Sequence, residues 1–211
     1  MAEFCTGWVV VIPVKPPVHG KSRLAGAASD RARLARAIAL DTIDAARHVC
    51  AVVVVTADAE IAAAARGLGA TVVWEDAPAG LNAAIARGMD AAGPGHRAAL
   101  LGDLPALRPA DLAAALRVAA SVDRAVVPDA EGTGSTLVTA RYGAGWASAF
   151  GDGSFARHVA LGCTVLDVPD ASTLRRDVDT PAQLDAAAAL GLGPRTAALH
   201  PSEPARPRTE A

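Results

Sequence analysis

The sequence predicts an α/β fold: one mostly parallel sheet with helices on both faces, joined by right-handed crossovers. Two patterns carry that expectation. Trp8 to Ile12 is a near-continuous β-branched run, the signature of a central strand buried on both faces rather than of a half-solvated one. Beyond it, short apolar runs alternate with longer segments of helical periodicity as far as residue 120, and the punctuation falls where strands become loops and loops become helices.

Taken in order, the strand Trp8 to Ile12 stops at Pro13, and the Pro-, Gly- and base-rich loop Lys15 to Gly26 follows. Asp30 to Arg47 places Leu34, Ile38 and Ile43 at helical spacing. Ala51 to Thr56 is the second strand, Ala59 to Arg66 the second helix, and Thr71 to Trp74 the third strand; a helix then starts near Gly80. Ala98 to Leu101 is a strand ending at Gly102-Asp103, and Pro109 to Ala120 is a helix with proline in its first turn. After Ala125 to Val127 the pattern loosens into a strand at Thr136 to Thr139, a helix at Phe155 to Ala160 and a strand at Thr164 to Leu166, which reads as a smaller, partly antiparallel region. A last helix, Pro181 to Leu190, closes a single domain at 1–193, and 194–211 reads as a disordered tail with little to pack.

Composition narrows the function. Hydrophobic residues make up 52% of the chain, enough for a sizeable core, while Lys plus Arg number 20 against 22 Asp plus Glu. That balance lacks the basic excess by which proteins track nucleic acid, but leaves small anionic ligands open. Three scattered cysteines, Cys5, Cys50 and Cys163, form no CxxC pair and suit a reducing, cytoplasmic setting. No apolar stretch is long enough to predict a membrane span, and the five histidines have no zinc spacing with the cysteines.

Function is expected at the strand C-termini. The loop after the first strand is neither GxGxxG nor a complete P-loop, which disfavours a dinucleotide oxidoreductase and a P-loop ATPase. Its Lys15, Lys21 and Arg23 either meet phosphates or form a solvated basic loop, with Gly20 admitting close backbone approach. In Gly80-Leu81-Asn82, the asparagine can read a nucleobase or ribose, or cap the helix. Asp103, after the apolar strand and Gly102, can hold a divalent cation against phosphate oxygens or cap its turn. Asp177 and Asp179, two apart, share one face of an extended backbone and can add to a metal site, or one of them organises the turn at Thr180. Gly132, Gly134, Ser135 and Thr136 form a hydroxyl-bearing loop entering a strand. In FGDGSFARH, Gly151 and Gly153 open the backbone before Ser154, placed to cap the helix, to bind an anion, or both, with His158 nearby as a candidate ligand.

Together, PVKPPVHGKSRL, AGLNAAI, LGDLPAL, GTGST, FGDGSFARH and RRDVDTP resemble, in this order over about Val9 to Leu190, the CofC/FbiD family of guanylyltransferases in coenzyme F420 synthesis. The resemblance implies a three-layer α/β/α, Rossmann-like nucleotidyltransferase fold with a small acceptor-binding region. It also implies transfer of GMP from GTP to phosphoenolpyruvate, giving enolpyruvoyl-diphospho-guanosine and diphosphate. The alternatives are 2-phospho-L-lactate as acceptor or a non-catalytic nucleotide-binding module; the MobA-type glycine-rich first loop is not matched. Carried over by position, Lys21, Asp103 and Asp179 are catalytic. Lys15, Lys21, Arg23, Gly80, Leu81 and Asn82 contact GTP, Thr136, Gly151 and Ser154 contact the acceptor, and Asp103, Asp177 and Asp179 hold Mg²⁺. The same resemblance implies product handover to the next enzyme of that pathway, while the charge balance and the lack of a long apolar stretch predict no nucleic-acid or membrane partner.

Overall fold

The computed structural model describes residues 5–16, 28–77 and 79–200. Seven strands, β1 (Trp8–Val14), β2 (Ala51–Thr56), β3 (Thr71–Trp74), β4 (His96–Leu100), β5 (Arg124–Pro128), β6 (Ser135–Ala140) and β7 (Thr164–Val165), form one sheet in the order β3-β2-β1-β4-β6-β5-β7. The β3-β2-β1-β4 half is parallel; β6 runs antiparallel to both β4 and β5, and β7 returns parallel to β5. The antiparallel part is therefore a strand set into the same sheet.

β1 is buried on both faces, as its sequence predicts. Val10 and Ile12 enter a core shared with Ile43 of α1 (Ala28–Arg47), Ile61 of α2 (Ala59–Gly67) and Leu112 of α4 (Pro109–Ala119). Val11 faces the opposite layer, with Ile85 and Met89 of α3 (Leu81–Ala92) and Phe155 of α5 (Ser154–Ala160). Three layers result. β1 continues through Pro13 to Val14, past the expected stop. The Pro13 carbonyl faces Gly102, on the side where pairing with β4 has already ended at Val11↔Ala99, so the missing N–H removes no ladder bond.

A third, smaller core lies at the C-terminal end of the sheet, where Ile38 of α1, Ala106, Val178, and Leu184 and Ala187 of α6 (Pro181–Ala188) meet. It anchors the segment carrying the acidic residues. The expectation of a disordered segment from residue 194 is corrected for its first part. Pro194–Ala197 is a short helix, α7, whose Thr196 N–H donates to Asp41 Oδ2 at 2.7 Å, while Arg195 pairs with Asp41 and Asp44 at 3.2 and 3.0 Å. A buried carboxylate on α1 supplies the partner that the tail's own composition does not advertise. Residues 201–211 lie outside those described.

Candidate active site

A cavity of about 440 Å³ opens at the C-terminal ends of β1 and β4. Lys15, Leu81, Asp103, Gly151, Ser154, Asp177 and Asp179, all singled out from sequence, line it. Lys21 and Arg23 lie outside the described residues. Gly80, Asn82 and Thr136 are not on its wall.

The acidic side is held by main-chain geometry. Thr42 Oγ1 accepts from Leu104 N at 3.1 Å and donates to Ile38 O, fixing the turn after β4 to α1. The Asp103 carbonyl accepts from Val178 N at 3.0 Å, which brings the 177–179 segment alongside. Val178 is fully buried in the small core, so its neighbours Asp177 and Asp179 face the other way, into the cavity. The turn at Thr180 is organised by a capping box with Gln183.

Sequence reasoning missed Asp129 and Glu131. Asp129 Oδ1 and Oδ2 accept from Thr133 N and Gly134 N at 2.9 and 2.6 Å, holding the loop between β5 and β6 against the cavity. Carboxylate oxygens of Asp129, Glu131 and Asp177 lie within 4.8 Å of one another, the grouping among the described residues that can hold a metal ion. The expected trio of Asp103, Asp177 and Asp179 shares the cavity wall, and the close grouping also joins Asp177 to the β5–β6 loop. Burial, then the neighbouring Asp103 and Asp129, and more weakly Asp179, push the Asp177 carboxyl well above the usual carboxylate range. Asp177 Oδ1 is buried with no hydrogen-bond partner among the described residues. Hard oxygen donors in mutual repulsion fit a divalent cation, which would offset their charge.

The opposite wall is the loop 150–154. Ser154 does not cap α5; Gly153, in the left-handed region at φ 66°, is the N-cap, and Ser154 is the buried first helical residue. Asn82 neither caps α3 nor faces the cavity. Gly80 is the cap, and Asn82 spends both amide atoms on Phe150, donating to its carbonyl at 3.0 Å and accepting from its N–H at 2.9 Å. His158 is no ligand: it is fully buried, Nε2 accepts from Ala149 N at 2.9 Å, and Nδ1 lies 3.0 Å from Ser135 Oγ. Because Nε2 must accept, the proton resides on Nδ1 and is donated to Ser135. Burial, with Arg157 adding to it, pushes the imidazole down to about 4. Thr136 is fully buried, one residue behind the wall-lining Ser135.

A mixed sheet with a parallel half and a carboxylate-walled cavity beyond its strand ends defines an α/β protein with its cavity at the crevice where such sheets bind ligands. The family model described as "Guanylyl transferase CofC like" matches residues 8–188, and the chain belongs to that family of nucleotidyltransferases. Relatives named phosphoenolpyruvate guanylyltransferase include one from Thermomonospora curvata, 48% identical over 94% of this chain and 90% of its own length. Another, from Streptomyces coelicolor, is 47% identical over 91% and 95%. Among solved structures, a putative nucleotide-diphospho-sugar transferase from Desulfovibrio desulfuricans superposes with a TM-score of 0.60 at 17% identity, covering 87% of this chain and 96% of that one. A Mycobacterium tuberculosis protein solved in complex with manganese gives 0.52 at 22% identity, over 86% and 97%. These two likenesses support the nucleotidyltransferase-like fold.

Proposed function

We infer that the protein transfers GMP from GTP to phosphoenolpyruvate, releasing diphosphate. The observation that carries this reading is a cavity with carboxylates on one wall and a glycine-rich loop on the other, in a chain of the guanylyltransferase family. Both substrates are polyanions, and Asp103, Asp129, Asp177 and Asp179 would repel them without a cation between.

In this reading Asp103, Asp177 and Asp179 hold Mg²⁺, with Asp129 and Glu131 on the flank nearest Asp177. The ion supplies charge neutralisation and orientation of phosphate oxygens. Lys15 on the cavity wall offsets phosphate charge, and the family resemblance implies the same task for Lys21 and Arg23. Leu81, at the start of α3, packs beside the nucleoside. The backbone at Gly151 and the hydroxyl of Ser154 receive the acceptor, with Thr136 behind them. A phosphate monoester is largely dianionic at neutral pH, its second pKa being about 6, so its oxygen attacks the α-phosphorus of GTP without a general base. Alignment for in-line displacement is then the main task of the loop. The enolpyruvyl diphosphoguanosine product would pass to an enzyme that consumes an activated phosphoanhydride, while diphosphate leaves.

The test is product mass and diphosphate release with GTP, Mg²⁺ and either phosphoenolpyruvate or 2-phospho-L-lactate. Metal-dependent formation of the enolpyruvyl diphosphoguanosine is expected. Exclusive use of phospholactate would overturn the acceptor assignment, and absence of any GTP-dependent diphosphate release would overturn catalysis.

A further inference from the structure

We propose that Asn82 and His158 are positioning residues that clamp the main chain of Ala149 and Phe150 from two sides and thereby set acceptor affinity. The inference rests on the reading of loop 150–154 as the acceptor wall. Asn82 meets both polar main-chain atoms of Phe150, the pairing an amide side chain makes with a strand it extends. His158 takes the N–H of the preceding residue and is braced by Ser135 on β6. The Phe150 ring, itself buried, stands edge-on to the imidazole with centroids 4.8 Å apart. Arg157 Nε adds a bond to Ala149 O at 3.1 Å, and Arg157 also donates to the Asp152 carbonyl.

The chemistry of the clamp explains its residue types. Asparagine presents one donor and one acceptor in a plane, matching a peptide's C=O and N–H together; aspartate would set a carboxylate oxygen against the Phe150 carbonyl. A neutral histidine accepts at Nε2 while donating at Nδ1, so it bridges a backbone N–H and a hydroxyl in one buried side chain. Gly151, with φ 124°, follows the clamped pair directly, so the left-handed turn that opens the loop toward the cavity starts from a fixed point. Asn82 stands one residue after Leu81, which lines the other part of the cavity, so α3 ties the two halves of the site together.

The experiment compares wild type with Asn82→Ala, Asn82→Asp and His158→Gln in the full chain, by steady-state kinetics in each substrate and by amide hydrogen exchange. Asn82→Ala is expected to raise KM for phosphoenolpyruvate roughly tenfold, the loss of one to two hydrogen bonds, with KM for GTP little changed. Asn82→Asp is expected to do worse, and His158→Gln, whose amide oxygen can take the Ala149 N–H, to do better than Asn82→Ala. Exchange at Ala149 and Phe150 should accelerate in Asn82→Ala while β1 and β4 stay protected. A raised KM for GTP instead would show that Asn82 reads the nucleotide and would overturn the proposal. Unchanged exchange at both amides, or faster exchange with unchanged acceptor KM, would overturn it as well. An inactive wild type sinks the function reading, and the exchange comparison still decides the clamp.

Discussion

Asp103 is the residue whose place was most legible: an aspartate after an apolar strand and a glycine falls at a strand end, and it lines the cavity there. In the structure the turn it begins is satisfied by Thr42, and its backbone holds Val178. Asp103→Asn keeps that backbone and the side-chain size while removing a charge. Turnover with GTP and phosphoenolpyruvate at saturating Mg²⁺ is expected to fall at least about a hundredfold, the scale of a lost electrostatic contact in a transition state, with the thermal midpoint held or raised; undiminished turnover would refute the assignment. Asp129 was not legible, since a lone aspartate before Ala130 reads as a turn former, and only its bonds across to Thr133 and Gly134 reveal the loop it shapes. His158 carries a pH prediction. Its folded value near 4 lies below the ordinary 6.5, so between those values the unfolded chain binds the extra proton and stability falls as pH falls. Above 6.5 both states are neutral and the contribution is complete. Across the window the loss reaches roughly 3 kcal/mol, and denaturant melts from pH 7 to pH 4.5 should show that part of the decline removed in His158→Gln. Equal slopes in the two proteins would show that His158 does not titrate this way.

Among elements, long periodic ones were readable and short ones were not. The core of α1, and β2, α2 and β3, sit close to their expected bounds because apolar period and caps agree; Asp58, for example, caps α2 by accepting from Glu60 N and Ile61 N. The 3-10 turn Thr173–Arg175 and α7 escaped because their stabilising partners, Asp111 and Asp41, are distant in sequence. Ala-rich helices allow close packing, and α3 takes this furthest at Gly88: a Cβ there would strike the side chain of Val11 and approach Val55 to 2.9 Å. Gly88→Ala gains about 1 kcal/mol of helix propensity but overpacks two central strands, an effect of about 1–3 kcal/mol. A net loss of stability is expected, with the tilt of α3 carried to Leu81 and Asn82 and so to both substrate KM values. A variant more stable than wild type would mean that β1 and β2 yield to the methyl group without strain.

At the scale of the whole molecule, the C-terminal segment is tied to the site through a part of the chain far from it in sequence. Gly193 N donates to Pro105 O at 2.7 Å, two residues beyond Asp103, and a Cβ at Gly193 would overlap the Asp41 carboxylate. Asp41 is 5% exposed and takes the N–H groups of Arg195 and Thr196 as well as the Arg195 guanidinium. Ending the chain at Leu192 strips those donors from a buried carboxylate, a change that costs about 3–5 kcal/mol when one partner of a buried pair is removed. For a chain of this length that corresponds to a fall of roughly 6–20 °C in the thermal midpoint, at about 2–4 °C per kcal/mol. The Asp103 turn itself keeps its bond from Leu104 N to Thr42, so turnover well below the new midpoint is expected to persist. Asp41→Asn in the full chain, which weakens the same acceptors while leaving α7 present, should fall between the two. A truncated protein as stable as the full one would show that α7 rests on Asp41 without contributing to the fold; lost turnover at full stability would show that the Pro105 contact holds the carboxylate wall in place.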